Sequence, residues 1–161
     1  RQMCIRDRTD KDGGSNIEKK DGVDKYELVA SAQNNDKNNG LARLKAAYPN
    51  SIWTKYITAG HTSRNTNSMP FVLNYIRKAS RLSGYNLFPF FERWGFLRQV
   101  AMYIGDYGNG WCVFPKAAYD EFKADMDELV EKGVLQKMPE GMVEEISNTA
   151  DRFMPKPVFP N

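Results

Sequence analysis

The chain has 161 residues, of which 41% are hydrophobic and 12% aromatic, so it is long enough and apolar enough for one hydrophobic core. Its formal net charge of +3 at pH 7 is too small to predict a surface for nucleic acid. No apolar run approaches the roughly 20 residues that a membrane-spanning helix needs. We therefore expect no nucleic-acid partner and no membrane insertion.

The opening residues 1–8, RQMCIRDR, have no helical or strand period and no initiator Met. They resemble translated sequencing-adapter read-through at the broken end of a reading frame, so we take them as an artefact and exclude them from the fold. Without them the net charge falls to +1, and Cys112 is the one remaining cysteine. Its apolar neighbours in GWCVF predict a buried, inert thiol.

Residues 9–40 are rich in Asp, Asn, Lys and Gly, a composition that predicts a polar loop or a disordered segment. The exception is YELVASA at 26–32, which fits one short helix or strand. DKDGGSNIEKKD contains oxygen ligands, but its paired glycines come too early for a calcium-binding loop.

Residues 41–153 predict a helical subdomain. LARLKAAY and SIWTKYI have helical spacing, and Pro70 begins a longer helix that Gly84 ends. Arg77, Lys78 and Arg81 are expected to face solvent on this helix. Its predicted buried face consists of Phe71, Val72, Tyr75, Ile76, Ala79 and Leu82.

The aromatic block LFPFFERWGF predicts a short helix with Asn86 as its cap, Pro89 in its first turn and Gly95 after its end. Its rings are expected to fill the core, with Leu87, Phe88, Phe91 and Trp94 pointing inward.

The rest of the chain also has mainly helical patterns. FLRQVAMYI at 96–104 fits either a strand or a connector, and GDYGNG predicts a turn. A long helix near 116–132 has a stripe of apolar residues and ends before Gly133, and a last short helix follows Pro139. The three prolines of 154–161 predict an extended linker. The fold class is therefore mainly α with little β.

The residues by themselves show no catalytic machinery. His61 is the one histidine, so the H-E-x-x-H pair of a zinc peptidase is impossible in this chain. His61 lies in GHTSRNTN, which is either a surface loop, the reading that we favour, or a binding loop. The acidic residues of DEFKADMDELVEKG predict a solvated helix face with ion pairs one turn apart.

The run FVLNYIRKASRLSGYNLFPFFERWGF at 71–96 resembles a segment of the enhancin-like zinc metallopeptidases, peptidase family M-sixty. In that family a helix leads through S-G-Y-N-L into a P-F-F-E-x-W-G-F block. The matching signature residues here are Gly84, Tyr85, Asn86, Pro89, Phe90, Phe91, Glu92, Trp94, Gly95 and Phe96.

The resemblance implies the helical C-terminal subdomain of a gluzincin-type catalytic domain. The parent would be a secreted or cell-surface bacterial enzyme that uses zinc to cleave glycoproteins such as mucins. Its zinc histidines and catalytic Glu would lie upstream, in an N-terminal part of the same domain, so this piece alone would bind no zinc and be inactive. By analogy, the GHTSRNTN loop would contact the glycoprotein or peptide substrate through His61, Arg64, Asn65 and Asn67.

One alternative is a non-enzymatic helical module that binds carbohydrate or protein through Trp53, Trp94 and Trp111. An exposed tryptophan cluster would favour this module, whereas buried tryptophans would favour the peptidase. A purely structural interaction domain is a third reading.

Overall fold

The computed structural model describes residues 19–20, 23–33, 39–59, 69–104 and 110–151, and within them the chain is mainly helical, as predicted. Its two sheets are both two-stranded and antiparallel. The elements in chain order are β1 Lys19–Lys20, β2 Val23–Asp24, α1 Lys25–Gln33, α2 Gly40–Ala47, α3 Ile52–Thr58, α4 Met69–Ser83, α5 Phe88–Arg93, β3 Val100–Ile104, β4 Gly110–Phe114, α6 Lys116–Glu131 and α7 Met142–Asp151.

Helix α1 lies in the core, where it packs against α2, α3 and α4. Tyr26, Leu28 and Val29 are buried, and the ring of Tyr26 meets that of Phe122 edge to face, with 4.9 Å between centroids. The prediction of a polar loop over 9–40 is therefore wrong for Lys25–Gln33, and the helix alternative for 26–32 is correct. Burial of these large side chains outweighs the polar composition of the neighbouring sequence.

Helices α2 and α3 follow the predicted pattern closely. Leu44 and Ala47 of α2 and Trp53 of α3 are buried. Ser51 caps α3, because its hydroxyl accepts a hydrogen bond from the backbone N–H of Trp53 at 3.2 Å.

Helix α4 begins and ends near the predicted residues but presents a different face to the core. Phe71, Tyr75 and Leu82 are exposed, and Arg77 is buried, so the predicted orientation is wrong for these four residues. The guanidinium of Arg77 has a buried partner that helical periodicity does not reveal: its Nε lies 3.2 Å from Asp24 Oδ2. The buried face consists of Met69, Pro70, Leu73, Ile76, Arg77 and Ser80.

The turn between α4 and α5 uses the predicted stop and start signals. Gly84 has φ +77° and closes α4, with its N–H donating to the carbonyl of Ser80 at 2.9 Å. The side chain of Asn86 accepts a hydrogen bond from the N–H of Phe88 at 3.0 Å and so caps α5. The backbone of Gln136 closes the turn from the other side, donating to Gly84 and accepting from Asn86, both at 2.8 Å.

A hairpin and two helices complete the fold. In the hairpin Val100 of β3 lies opposite Phe114 of β4, so the strand alternative is correct for Val100–Ile104. Residues 105–109 of the predicted turn lie outside the described residues. Cys112 is buried, as predicted.

Helix α6 directs Phe122, Met126 and Leu129 of the predicted stripe into the core, and Gly133, with φ +71°, follows its end. Helix α7 packs against α5. The predicted linker 154–161 lies outside the described residues. Among the helices of the described ranges, none combines the length and the apolar character needed to cross a bilayer.

Candidate functional site

The signature residues surround the α4–α5 turn and continue through α5 to Phe96. Asn86 and Phe91 are buried, whereas Trp94 and Phe96 are exposed. Gly95, like Gly84, has a positive φ, +82°. The segment therefore combines a structural turn with an exposed aromatic end.

Three rings at this end form what we call the aromatic surface: Phe90, Trp94 and Phe96. Phe90 lies 5.9 Å from Trp94, and Phe91, beneath them, lies 5.2 Å from Phe90 and 5.4 Å from Phe96 (all between ring centroids). Trp94 is 37% exposed and Phe96 50%. The prediction that Trp94 points inward is wrong: its N–H still donates to the carbonyl of Phe90, but its ring lies beside that of Phe90, while Phe88 and Phe91 occupy the core.

A second apolar surface lies on the neighbouring helix. We call it the outer face of α4, and it consists of Phe71, Tyr75 and Leu82, which are 44%, 61% and 68% exposed. The ring of Tyr75 meets Phe91 edge to face, with 6.0 Å between centroids. Phe91 therefore joins the outer face of α4 to the aromatic surface.

The signature carboxylate Glu92 has a structural contact. It accepts a hydrogen bond from the hydroxyl of Tyr119, which links α5 to α6. Burial and the adjacent Glu92 charge both disfavour the phenolate and raise the pKa of Tyr119 to about 12.

A cluster of charged groups lies between α1, the start of α3 and α6. Lys25 Nζ lies 2.6 Å from Asp125 Oδ2 and 3.0 Å from Glu121 Oε1. Glu121 also accepts hydrogen bonds from the Ser51 hydroxyl at 2.6 Å and the Ile52 N–H at 2.7 Å. The predicted solvated face of α6 is therefore wrong for Glu121 and Asp125, which join this helix to α1 and α3.

The predicted ion pairs one turn apart do occur elsewhere on α6. They join Lys116 to Asp120, Lys123 to Asp127 and Lys132 to Glu128.

The pKa shifts in the charged cluster do not favour acid–base catalysis near neutral pH. Burial, and then the charge of Asp125, raise the pKa of Tyr26 well above its usual value; the Tyr26 hydroxyl donates to Asp125 Oδ2 at 2.6 Å. Burial alone would lower the pKa of Lys25, but Asp125 and Glu121 outweigh it and raise that pKa. Tyr26 or Lys25 would need a pKa shift in the opposite direction to act as a general base or nucleophile.

The predicted substrate-contact residues His61, Arg64, Asn65 and Asn67 lie outside the described residues, in the segment 60–68 that directly precedes α4. Their role stays a prediction.

The three tryptophans do not form one exposed cluster. Trp53 is only 1% exposed, and Trp94 lies on the aromatic surface. The side chain of Trp111 lies outside the described residues. The structure therefore leaves Trp94 as the described tryptophan that a ligand can reach.

The described residues contain no group that could hold zinc. In the described ranges, no three side chains of His, Cys, Asp or Glu are grouped so that they could hold a metal ion. Cys112 is buried, and the one histidine lies outside those ranges. We therefore derive no hydrolytic step from this chain.

Comparisons with protein-family models, with curated proteins and with solved structures find no match. The resemblance of residues 71–96 to the enhancin-like peptidases stays a prediction.

Proposed function

We propose that this chain is the helical, non-catalytic part of an enhancin-like zinc metallopeptidase that is secreted or held at the bacterial surface and cleaves glycoproteins such as mucins. One observation supports this above the others: the sequence that carries the resemblance forms a single structural unit. Gly84 ends α4, the Asn86 side chain caps α5, and Glu92 accepts a hydrogen bond from Tyr119 of α6. Each of these signature residues therefore has a defined structural role in the unit.

The outer face of α4 gives this proposal a second support. Phe71, Tyr75 and Leu82 are large apolar side chains on one side of a single helix, and each is more than two-fifths exposed. Large exposed apolar side chains on one side of a helix favour an interaction site, although the exposed Lys78 lies between Tyr75 and Leu82. In the proposal, the zinc-bearing part of the same domain covers this face, and the helical part forms one wall of the substrate cleft.

The segment 60–68 would then lie beside the cleft, because it directly precedes α4. We expect His61→Ala and Arg64→Ala, made in the complete enzyme, to raise the KM for a glycoprotein substrate with little change in kcat. Lys55→Ala, at an exposed position on α3, is the matched control. Unchanged KM values in both loop variants would remove this loop from the proposed substrate site.

The proposal itself is tested by expressing the chain with its natural upstream sequence and comparing it with residues 1–161. We expect the longer protein to bind zinc and to cleave mucin, and residues 1–161 to do neither. If the longer protein binds no zinc and cleaves no glycoprotein, the proposal is wrong.

A non-enzymatic carbohydrate- or protein-binding module is the second candidate, and the exposure of Trp94 and Phe96 favours it. Aromatic rings that lie side by side on a surface bury much apolar area at little conformational cost when a ligand binds. Titration of residues 1–161 with mucin oligosaccharides distinguishes the two functions. Saturable binding that Trp94→Ala abolishes would support the module, whereas absence of binding would favour the peptidase.

A further inference from the structure

On the aromatic surface Trp94 and Phe96 are exposed although their rings are large, and Phe90 is half-buried beside them. Phe90, Trp94 and Phe96 lie within one turn of the end of α5, and Phe91 supports them from beneath. Covering such a surface with an apolar segment is favourable, because each Å² of apolar area that is removed from water contributes roughly 25 cal/mol of stabilisation. The sequence contains a suitable segment.

That segment is 152–161, RFMPKPVFPN. It contains Phe153, Met154, Val158 and Phe159 together with three prolines. The other longer segments outside the described residues, 1–18 and 60–68, are mainly polar. Composition therefore distinguishes 152–161 as the segment with apolar side chains to bury.

The position of this segment in the chain also suits the aromatic surface. It directly follows Asp151, the last residue of α7, and α7 packs against α5. Helix α7 is about 15 Å long at 1.5 Å per residue. Ten residues of extended chain span up to about 31 Å. This length is enough for the segment to reach the aromatic surface from Asp151, whichever end of α7 contacts α5.

We propose that residues 152–161 dock on the aromatic surface of the same chain, with prolines and phenylalanines against Phe90, Trp94 and Phe96. Proline fixes φ near the value of the polyproline II helix, so the segment loses little conformational entropy when it docks. Grooves lined by aromatic rings bind proline-rich segments in this way. The cation of Lys156, between two prolines, can lie over a ring face.

This docking is separate from the proposed function. It uses the aromatic surface at the end of α5, whereas the zinc-bearing part is assigned to the outer face of α4. The intramolecular contact would keep the aromatic surface out of water and would compete with any ligand for Trp94.

A nitroxide spin label at the end of the segment tests the proposal. The full chain carries Asn161→Cys for the label and Cys4→Ser, and Cys112 is buried. We expect the label to broaden the amide NMR signals of residues 90–96 much more strongly than those of α1 and α2.

Two sets of variants separate docking from a change in fold. The first set is the double variant Trp94→Ser with Phe96→Ser, and the second is the triple variant Pro155→Ser, Pro157→Ser and Pro160→Ser. We expect each set to abolish the selective broadening. The proline variants change no residue of the described helices. Leu82→Ser, on the outer face of α4, is the matched control and should leave the broadening in place.

Three outcomes would overturn the proposal. The first is broadening that is uniform over the surface, and the second is selective broadening that survives both sets of variants. The third is selective broadening that appears only between a labelled and a separate isotope-enriched chain, which would assign the surface to a second copy of this chain.

Discussion

Arg77 joins three parts of the molecule at a position that is only 5% exposed. Its Nε donates to Asp24 Oδ2 at 3.2 Å, and another guanidinium nitrogen lies 3.4 Å from the backbone carbonyl of Asp125 in α6. The carboxylate of Asp24 also accepts from the N–H of Tyr26 at 2.9 Å, at the start of α1. The orientation of α4 therefore depends on a buried charge with specific partners.

We predict that Arg77→Ala lowers the free energy of unfolding by about 3–5 kcal/mol, because it leaves the Asp24 carboxylate buried without its cation. Lys78→Ala is the control: Lys78 pairs with Glu27 at 3.0 Å, but its side chain is 57% exposed, so the cost should be less than about 1 kcal/mol. Urea denaturation measures both values. Equal losses in the two variants would contradict the structural role of Arg77.

Tyr119 makes the stability of the chain depend on alkaline pH. Its pKa in the folded chain is about 12, against 10.0 for an ordinary tyrosine. Between these values the folded chain keeps a proton that the unfolded chain releases, so the contribution is complete below pH 10 and is lost as the pH rises towards 12. We predict that Tyr119→Phe makes the decrease in the free energy of unfolding above pH 10 less steep. An unchanged slope in urea denaturation at pH 9 to 12 would be evidence against the bond to Glu92.

At the scale of the elements, the α4–α5 turn depends on one backbone conformation. Gly84 has φ +77°, and an added Cβ would meet no atom within 4 Å. A substitution there tests backbone strain without a clash. We predict that Gly84→Ala costs about 1–2 kcal/mol in unfolding free energy and that Gly84→Asn costs less, because Asn adopts the left-handed conformation more readily. The same loss in both variants would show that the turn does not require this conformation.

Local signals in the sequence predicted where most helices begin and end, and the orientation of α4 shows where such signals fail. Helix α4 has two rows of apolar residues, one with Met69, Leu73 and Ile76 and the other with Phe71, Tyr75 and Leu82. Helical periodicity alone does not predict which of the two rows is buried. The row that is buried includes Arg77 and Ser80, which made it look solvent-facing. The ion-pair partner of Arg77, Asp24, lies far away in the sequence and cannot be read from the periodicity of α4.

The candidate site was predictable to a similar extent. The turn residues Gly84, Asn86 and Gly95 have the predicted roles because each role depends on local backbone geometry. The exposure of Trp94 was not predictable, since it depends on the end of α5 and on Phe88 and Phe91, which already occupy the core. The sequence did not clearly predict helix α1, because its apolar stretch is short and the residues on both sides of it are polar.

At the scale of the whole molecule, the core and the exposed apolar residues are separated. The core contains side chains from α1 to α6 and from β4, while Phe91 joins the outer face of α4 to the aromatic surface. All the residues of these two surfaces lie within 71–96, the segment on which the predicted resemblance to the enhancin-like peptidases rests. The proposed function assigns the first surface to the zinc-bearing part of the parent domain, and the further inference assigns the second to residues 152–161.

The membership of this helical unit in a zinc metallopeptidase is tested most directly by a long DNA read through the source clone upstream of Thr9. We predict an in-frame H-E-x-x-H some tens of residues or more before Thr9. A start codon and a signal peptide close to Thr9, with no such motif, would contradict the proposed function and favour the binding module.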